Sequence, residues 1–186
     1  MELTLVFANL IPFSRSGPVR TGDAALVEAA VGGDQAAFTA LHDRYAPMVH
    51  AIVLSKVPRP EADDLVQDVF LTCLEKLDRL ADGDVVGGWL AAIARNRATD
   101  FHRTRRPVSE LPETLHTVPA PQLEAKEALA AIRQLPEAYA ETLMMRLVEG
   151  MTGPEIADRT GMTPGSVRVN LHRGMAMLRD ELGGKR

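Results

Sequence analysis

Residues 151–182 read MTGPEIADRTGMTPGSVRVNLHRGMAMLRDEL, and the spacing predicts two short helices with a tight turn between them. Thr152 is a hydroxyl N-cap, Pro154 stands at the second helical position, and Glu155 can bond back to the cap. Thr163-Pro164 is a second start, with threonine as cap and proline at the first helical position. Between them Gly161 can take the left-handed conformation that ends a helix. Ala157 is small where two helices must cross, and Ile156 and Val167 supply an apolar pair to lock the crossing. A small residue, a glycine four later and an aliphatic six after that is the spacing of a helix-turn-helix. An ordinary αα-hairpin shows the same features by chance, so the stretch alone leaves both readings open.

Outward from there, composition sets limits. A chain of 186 residues suits one domain or two small ones. It is 46% hydrophobic and 25% charged, as globular proteins are, and only 4% aromatic, which favours helix over sheet. A net charge of −4 is wrong for a protein that coats nucleic acid indiscriminately. A DNA reader with this balance must segregate its charges. One cysteine, Cys73, excludes an internal disulfide framework and any multi-cysteine zinc site. The first residues, MELTLVFANLIPF, are apolar but lack a basic leader, carry Glu2 and break at Pro12, which argues against a secretory signal. No apolar run approaches the ~20 residues that span a bilayer, so a cytoplasmic protein without membrane insertion is expected.

In chain order, residues 1–22 read as a tail, with a disordered segment, a partner-binding arm and a start-codon artefact all left open. Asp23 is expected to cap a short helix ended by Gly32-Gly33. Asp34 caps a longer one to about Val57, with Phe38, Leu41, Tyr45, Val49, Ile52 and Val53 on its core face and Pro47 expected to kink or break it. His42 and His50 lie eight apart, too far for a metal pair on one helix face, and read as surface or core-edge residues. A third helix spans EADDLVQDVFLTCLEKLDRL, with Val66, Val69, Phe70, Cys73, Leu74 and Leu77 as its buried stripe. Cys73 there is most simply a small core residue. Glu61, Asp63, Asp64 and Asp68 crowd its first turns. Helix-dipole complementarity and a docking face for a basic partner explain them equally well.

ADGDVVGG reads as a loop into a fourth helix, WLAAIARNRATDFHRTRR. Its inner side is approximated by Trp89, Leu90, Ile93, Ala94, Arg97 and Phe101. Arg95, Arg97, Arg103, Arg105 and Arg106 gather there against Asp100 alone. Five arginines in twelve residues exceed what compensation of a helix C-terminus needs, so phosphate contact is favoured. Residues 107–122 carry Pro107, Pro112, Pro119 and Pro121 without apolar periodicity and read as a linker. Extended at about 3 Å per residue, it spans up to about 50 Å, enough for two helical modules to sit on separate surfaces of one target. The second module begins near Leu123 with two helices, cored by Leu129, Ile132, Leu135, Tyr139, Leu143 and Leu147.

The last helix runs from Pro164 to about Leu182. At about 100° per residue, Val167, Leu171, Met175, Leu178 and Leu182 fall on a core face. Ser166, Val169, His172, Arg173 and Ala176 fall opposite, with Arg168 and Asn170 on the flanks. Recognition helices set their N-terminal residues on base edges. Arg168 and Arg173 suit guanine edges or phosphates, Asn170 suits adenine, and Thr163 and Ser166 suit phosphates or bases. Val169 is aliphatic in the middle of this face, where it can pack on a thymine methyl.

Three blocks and their order carry a resemblance: DLVQDVFL at 64–71, WLAAIARNRATDFHR at 89–103, and LPEAYAETLMMRLVEGMTGPEIADRTGMTPGSVRVNLHRG at 135–174. The chain resembles bacterial sigma factors of the sigma-70 family, in the extracytoplasmic-function (ECF) subgroup, over residues 23–182. The resemblance implies an all-α protein of two small helical domains: an N-terminal tail at 1–22, a sigma-2-like bundle at 23–106, the proline-rich linker at 107–122, and a sigma-4-like helix-turn-helix domain at 123–186. It implies a transcription initiation factor, not an enzyme and without a cofactor or metal, whose partners are promoter DNA and core RNA polymerase through the β′ clamp helices and the β flap. An anti-sigma factor is the further partner it admits. Asp64, Gln67, Asp68 and Phe70 are then the polymerase-docking residues. The loop 79–88 and the helix 89–106 recognise and melt the minus-ten element, with Arg95, Asn96, Arg97, Arg103, Arg105 and Arg106 as candidate contacts and Trp89 and Ile93 as packing. Thr163, Ser166, Arg168, Val169, Asn170 and Arg173 belong to the reader of the minus-35 element. The chain departs from the family where its melting loop reads Asp82-Gly83-Asp84-Val85-Val86, without the aromatic or larger polar side chain often found there. It also departs at Val169, usually polar, and Asn170, usually basic, so the promoter sequence does not carry over from relatives.

Two other readings are weaker. A free-standing helix-turn-helix regulator needs neither the 64–71 block nor the arginine-rich fourth helix. A helical metal-dependent hydrolase needs a ligand cluster such as His-Glu-x-x-His, and the five histidines have no ligand spacing.

Overall fold

The last two turns of the chain's second helix have almost no solvent side. Met48, Val49, Ala51, Ile52 and Val53 are all 0% exposed and Leu54 is nearly so. A helix buried all round must have neighbours on every face, and this one does. In the computed structural model, which describes residues 22–104 and 120–183, it is the central strut of an all-α fold.

The elements are α1 (Asp23–Val31), α2 (Gln35–Leu54), α3 (Arg59–Lys76), two 3₁₀ turns (Leu77–Arg79 and Gly83–Val85), α4 (Val86–Thr104), α5 (Ala120–Arg133), α6 (Glu137–Leu147), α7 (Gly153–Thr160) and α8 (Pro164–Gly183). One side of α2 packs on α1, α3 and α4. The other receives α6 and α7, while α8 lies across α5, α6 and α7. A single contiguous apolar cluster therefore runs from Val27 and Leu41 through Ile52 to Leu143, Ile156 and Leu178. The expectations for the tail 1–21, for Arg105 and Arg106, and for linker residues 107–119 lie outside the described residues.

Local chemistry sets most of the boundaries. Asp34 accepts from the backbone N–H groups of Ala36 and Ala37, at 2.8 and 3.3 Å, and so starts α2. Asp23 does not cap α1. Gly22 does, and Asp23 is the first helical residue. Its carboxylate is taken by the Tyr45 hydroxyl at 2.6 Å and Arg44 at 2.8 Å, stronger partners than an N-cap amide. The helix α2 runs through Pro47 as one element. A proline costs a helix interior about 3 kcal/mol, and burial of Tyr45, Ala46, Met48 and Val49 around it outweighs that. The linker ends earlier than its prolines suggest, because α5 starts at Ala120 and holds Pro121 in its first turn, where the missing N–H breaks no helical bond. Gly87 and Gly88, which read as loop, are helical and belong to α4.

Candidate nucleic-acid interface

The helix-turn-helix is built from its caps. Thr152 Oγ1 accepts from the Glu155 N–H while Glu155 Oε2 accepts from the Thr152 N–H at 2.7 Å, a complete capping box. Gly161 ends α7 in the left-handed region at φ 72°, its N–H on the Ala157 carbonyl at 3.0 Å. Thr163 Oγ1 accepts from the Ser166 N–H at 3.1 Å and starts α8. Ile156, Ala157 and Val167 are buried at the crossing. Gly174 lets α8 lie on α6: a Cβ there would stand 3.1 Å from Leu143.

This sets one face of α8 to solvent. Ser166, Val169, His172, Arg173 and Ala176 are all exposed, Val169 at 45%, and they recur three and four apart on one side. Thr163 and Ser166 share a hydroxyl–hydroxyl hydrogen bond of 2.9 Å at its N-terminal end. Arg168 is exposed beside an apolar groove lined by Gly153, Pro154, Pro164, Val167 and Leu171. Asn170 turns the other way: its amide donates to the Ala138 carbonyl and Thr142 Oγ1 of α6, at 3.4 Å each.

The arginine-rich helix divides its candidates among three sides. Asn96 and Arg103, seven apart, share the exposed face, with Asp100 between them and bridged to Arg103 at 3.1 Å. Arg97 reaches back to Thr72 Oγ1 of α3 at 2.8 Å. Arg95 points towards α6, where Nε and Nη2 donate to the two carboxylate oxygens of Glu141 at 2.8 Å each. Those bonds hold its guanidinium above the ordinary range, against the opposing pull of burial. Trp89 and Ile93 pack on the core from its edge.

On α3 the outward face carries Asp64, Gln67 and Asp68, all exposed. Phe70, expected among the docking residues, is instead buried, its ring 4.5 Å from that of His42. Leu74, expected in the core, is 56% exposed, and Leu71 is 59% exposed. Five buried positions (Ala62, Val69, Phe70, Thr72 and Cys73) already fill the inner side of this helix. Sequence reasoning thus missed two aliphatics of an acidic-and-aliphatic face; the signal was that Gln67, Leu71 and Leu74 recur three and four apart, in step with the carboxylates. Among the described residues, no group of three or more His, Cys, Asp or Glu is placed to hold a metal, and no helix is long and apolar enough to cross a membrane.

Comparison with known proteins agrees with this geometry. The family model for sigma-70 region 2 matches residues 41–108, and that for sigma-70 region 4 matches residues 125–178. The chain is 32% identical over 175 residues to the ECF RNA polymerase sigma factor SigD of Mycobacterium tuberculosis, covering 85% of this chain and 82% of that protein. It is 34% identical over 161 residues to the RNA polymerase sigma factor CarQ of Myxococcus xanthus, covering 81% of this chain and 92% of that one. The chain belongs to the sigma-70 family, in its ECF group. This sigma factor is a transcription initiation factor that binds core RNA polymerase and directs it to specific promoters. A solved structure of CnrH in complex with the cytosolic domain of CnrY has the same fold, with a TM-score of 0.60, 26% identity and coverage of 88% of this chain and 99% of that one. Within this sigma factor, region 2 supplies most of α2 with α3 and α4, and region 4 supplies α6, α7 and most of α5 and α8.

Proposed function

We propose that three surfaces divide the work. The outward face of α8 reads the minus-35 element through Ser166, Val169 and Arg173, with Thr163 and Arg168 at its edges, while Asn170 helps hold α8 on α6. The outward face of α4 contacts the minus-ten strand through Asn96 and Arg103, joined by Arg105 and Arg106 beyond it and by Arg95 and Arg97 from the sides. The face of α3 made by Asp64, Gln67, Asp68, Leu71 and Leu74 docks on the polymerase β′ clamp helices. The observation that carries this reading is the side-by-side exposure of two leucines and three polar or acidic residues on α3. Large apolar side chains left together in water mark a protein interface.

In this reading the factor contributes recognition and melting, and the polymerase does the chemistry, in the cytoplasm. An anti-sigma factor is a further partner; that CnrH was solved with a protein domain bound supports it. Run-off transcription with core polymerase, on the region upstream of the protein's own gene, tests the assignment. A promoter-specific transcript is expected, lost on Leu71→Asp/Leu74→Asp and weakened by Arg173→Ala. Tight, specific duplex binding by the chain alone, with no transcript, would favour a free-standing regulator instead.

A further inference from the structure

Arg95 lies on the helix assigned above to the minus-ten strand, yet its partners come from the other half of the chain. Besides the two bonds to Glu141, its Nε is 3.5 Å from Glu137. Lys56, just past the end of α2, reaches the same Glu137 carboxylate at 3.2 Å. Further along the seam, His50 Nδ1 bonds to Glu149 at 2.6 Å. Glu137 and Glu141 are four apart and share one face of α6. A carboxylate and a phosphodiester offer a guanidinium the same thing, paired anionic oxygens for its forked N–H donors. Glu141 is 5% exposed among otherwise apolar or hydroxyl-bearing neighbours on α6, a costly place for a charge without a cation.

The far end of the seam is fitted as closely. A Cβ on Gly87 would overlap the Arg159 carbonyl oxygen and stand 2.9 Å from the Tyr45 ring, so only glycine lets α4 approach α7 this way. Arg159 Nε donates to the Arg44 carbonyl at 3.0 Å, and Arg133 Nε donates to the Leu54 carbonyl at 2.9 Å. The second bond satisfies one of the orphan carbonyls at the C-terminus of α2.

This arrangement cannot hold on a promoter. Elements named for positions ten and thirty-five lie about 25 base pairs, or about 85 Å, apart along B-DNA at 3.4 Å per pair. Here α4 touches α7, and α7 touches the recognition helix, so the two readers are separated by about two helix diameters of ~10 Å. The halves must part to grip both elements.

We propose that the α6 carboxylates Glu137 and Glu141 occupy the phosphate seat of α4, so that the chain alone is held shut by an internal stand-in for the promoter strand. Nucleic acid enters by displacing α6 from Arg95 and Lys56, and this rests on the assignment of α4 to the minus-ten strand. The affinity of the free chain for that strand is reduced by the fraction of molecules that are open.

The test uses the full chain and three measurements: the radius of gyration from small-angle X-ray scattering, the affinity for a fluorescein-labelled single-stranded oligodeoxynucleotide without polymerase, and run-off transcription with saturating core polymerase. Glu137→Gln/Glu141→Gln should expand the molecule by several ångströms and bind the oligonucleotide roughly tenfold more tightly, the closed form holding about nine chains in ten. Gly87→Ala should do the same without touching a charge. Glu124→Gln/Glu127→Gln, which removes two exposed charges from α5, should stay compact and gain far less. Arg95→Gln should expand without the gain. A Glu137→Gln/Glu141→Gln chain that stays as compact as the parent, or expands without binding more tightly, overturns the proposal. If every variant still transcribes in that event, the promoter function survives and only the stand-in is wrong. If Asn96→Ala/Arg103→Ala leaves both oligonucleotide affinity and transcription at the parental level, the assignment of α4 falls, and the proposal with it.

Discussion

Arg95 and Glu141, forty-six residues apart, close on one another through two parallel hydrogen bonds of 2.8 Å, one to each carboxylate oxygen. The pair is asymmetric: the Glu141 side chain is 7% exposed and that of Arg95 is 39% exposed. Arg95→Ala should therefore cost more stability than Glu141→Ala, because it strands a carboxylate that water does not reach, whereas an unpartnered Arg95 keeps water and Glu137. A double-mutant cycle should return a coupling of about 1–2 kcal/mol, reduced from the value for a fully buried pair by solvent around Arg95. Chemical denaturation of the four proteins measures it. Additive single effects would mean that the bonds contribute nothing to docking.

Gly161 is the hinge of the helix-turn-helix, and a Cβ there has nothing within 4 Å. Any penalty for Gly161→Ala is thus purely conformational, from holding an L-residue at φ 72°: about 1–2 kcal/mol. That corresponds to a fall in Tm of roughly 2–8 °C for a chain of this size, read by circular dichroism. Gly161→Asn should lose less, since asparagine tolerates the left-handed region.

Gly174 makes the opposite prediction. Its backbone is ordinary helix, and the constraint is the Leu143 side chain 3.1 Å from where a Cβ would lie. Gly174→Val over-fills that contact and should cost about 1–3 kcal/mol. It should also weaken duplex binding by the minus-35 reader, because α8 would be pushed off α6. Gly174→Ala should be close to neutral, helix propensity offsetting the crowding. Melting curves of the two variants, with a footprint on promoter DNA, check both halves.

The contrast between these glycines tracks what could be read from residues alone. The helix-turn-helix was legible because its determinants are local: Thr152 with Glu155, Thr163 with Ser166, and Gly161 act within four residues of themselves. The exposed face of α8 follows from helical period. What escaped was decided at long range. Asp23 looks like a cap until Tyr45 and Arg44 arrive to claim it. Leu74 fits a buried stripe, but periodicity does not say how wide the neighbouring helices make it. Glu137, Glu141 and Glu149 look like solvated surface, since nothing in their own stretch hints at partners 42 to 99 residues away. The proline-rich linker suggested modules held apart; the packing of α6 on α2 brings them together.

Stability should fall in mild alkali. Burial first, then the hydrogen bond to Asp23, pushes the Tyr45 hydroxyl well above its ordinary value of 10.0. Burial alone pushes the Cys73 thiol from 9.0 up to about 11. The folded chain thus keeps protons that the unfolded chain releases, and stability drops wherever the unfolded state binds fewer. The contribution is complete below about pH 9 and is lost as pH climbs through the folded values. The slope reaches at most about 1.4 kcal/mol per pH unit for each group. Tyr45→Phe should cost about 1 kcal/mol at neutral pH through the lost bond to Asp23 and should flatten the decline above pH 10. Urea unfolding across that range measures it; a parent chain equally stable at both ends would contradict it. The same burial makes the native Cys73 thiol inert to alkylation at neutral pH and reactive once unfolded.

Val169 stands in the middle of the exposed face of α8, 45% exposed and flanked by Ser166 and Arg173 at three and four residues' distance. It has no hydrogen-bonding group, so any discrimination it provides must come from shape and apolar contact, of which the thymine methyl is the major-groove instance. Arg168 and Arg173 can act on phosphates or on guanine, and the two uses separate by salt dependence and sequence. Val169→Ser should change the base preference at one position of the minus-35 element, at a cost of about 1–3 kcal/mol for the favoured base, while leaving the salt slope of binding unchanged. An arginine that contacts only phosphate should do the reverse on substitution by alanine, weakening all sequences alike and lowering the slope by about one. Randomising the minus-35 element and selecting bound duplexes with holoenzyme, at two salt concentrations, distinguishes these cases. An unchanged preference in Val169→Ser would mean that the aliphatic side chain only fills space between its polar neighbours.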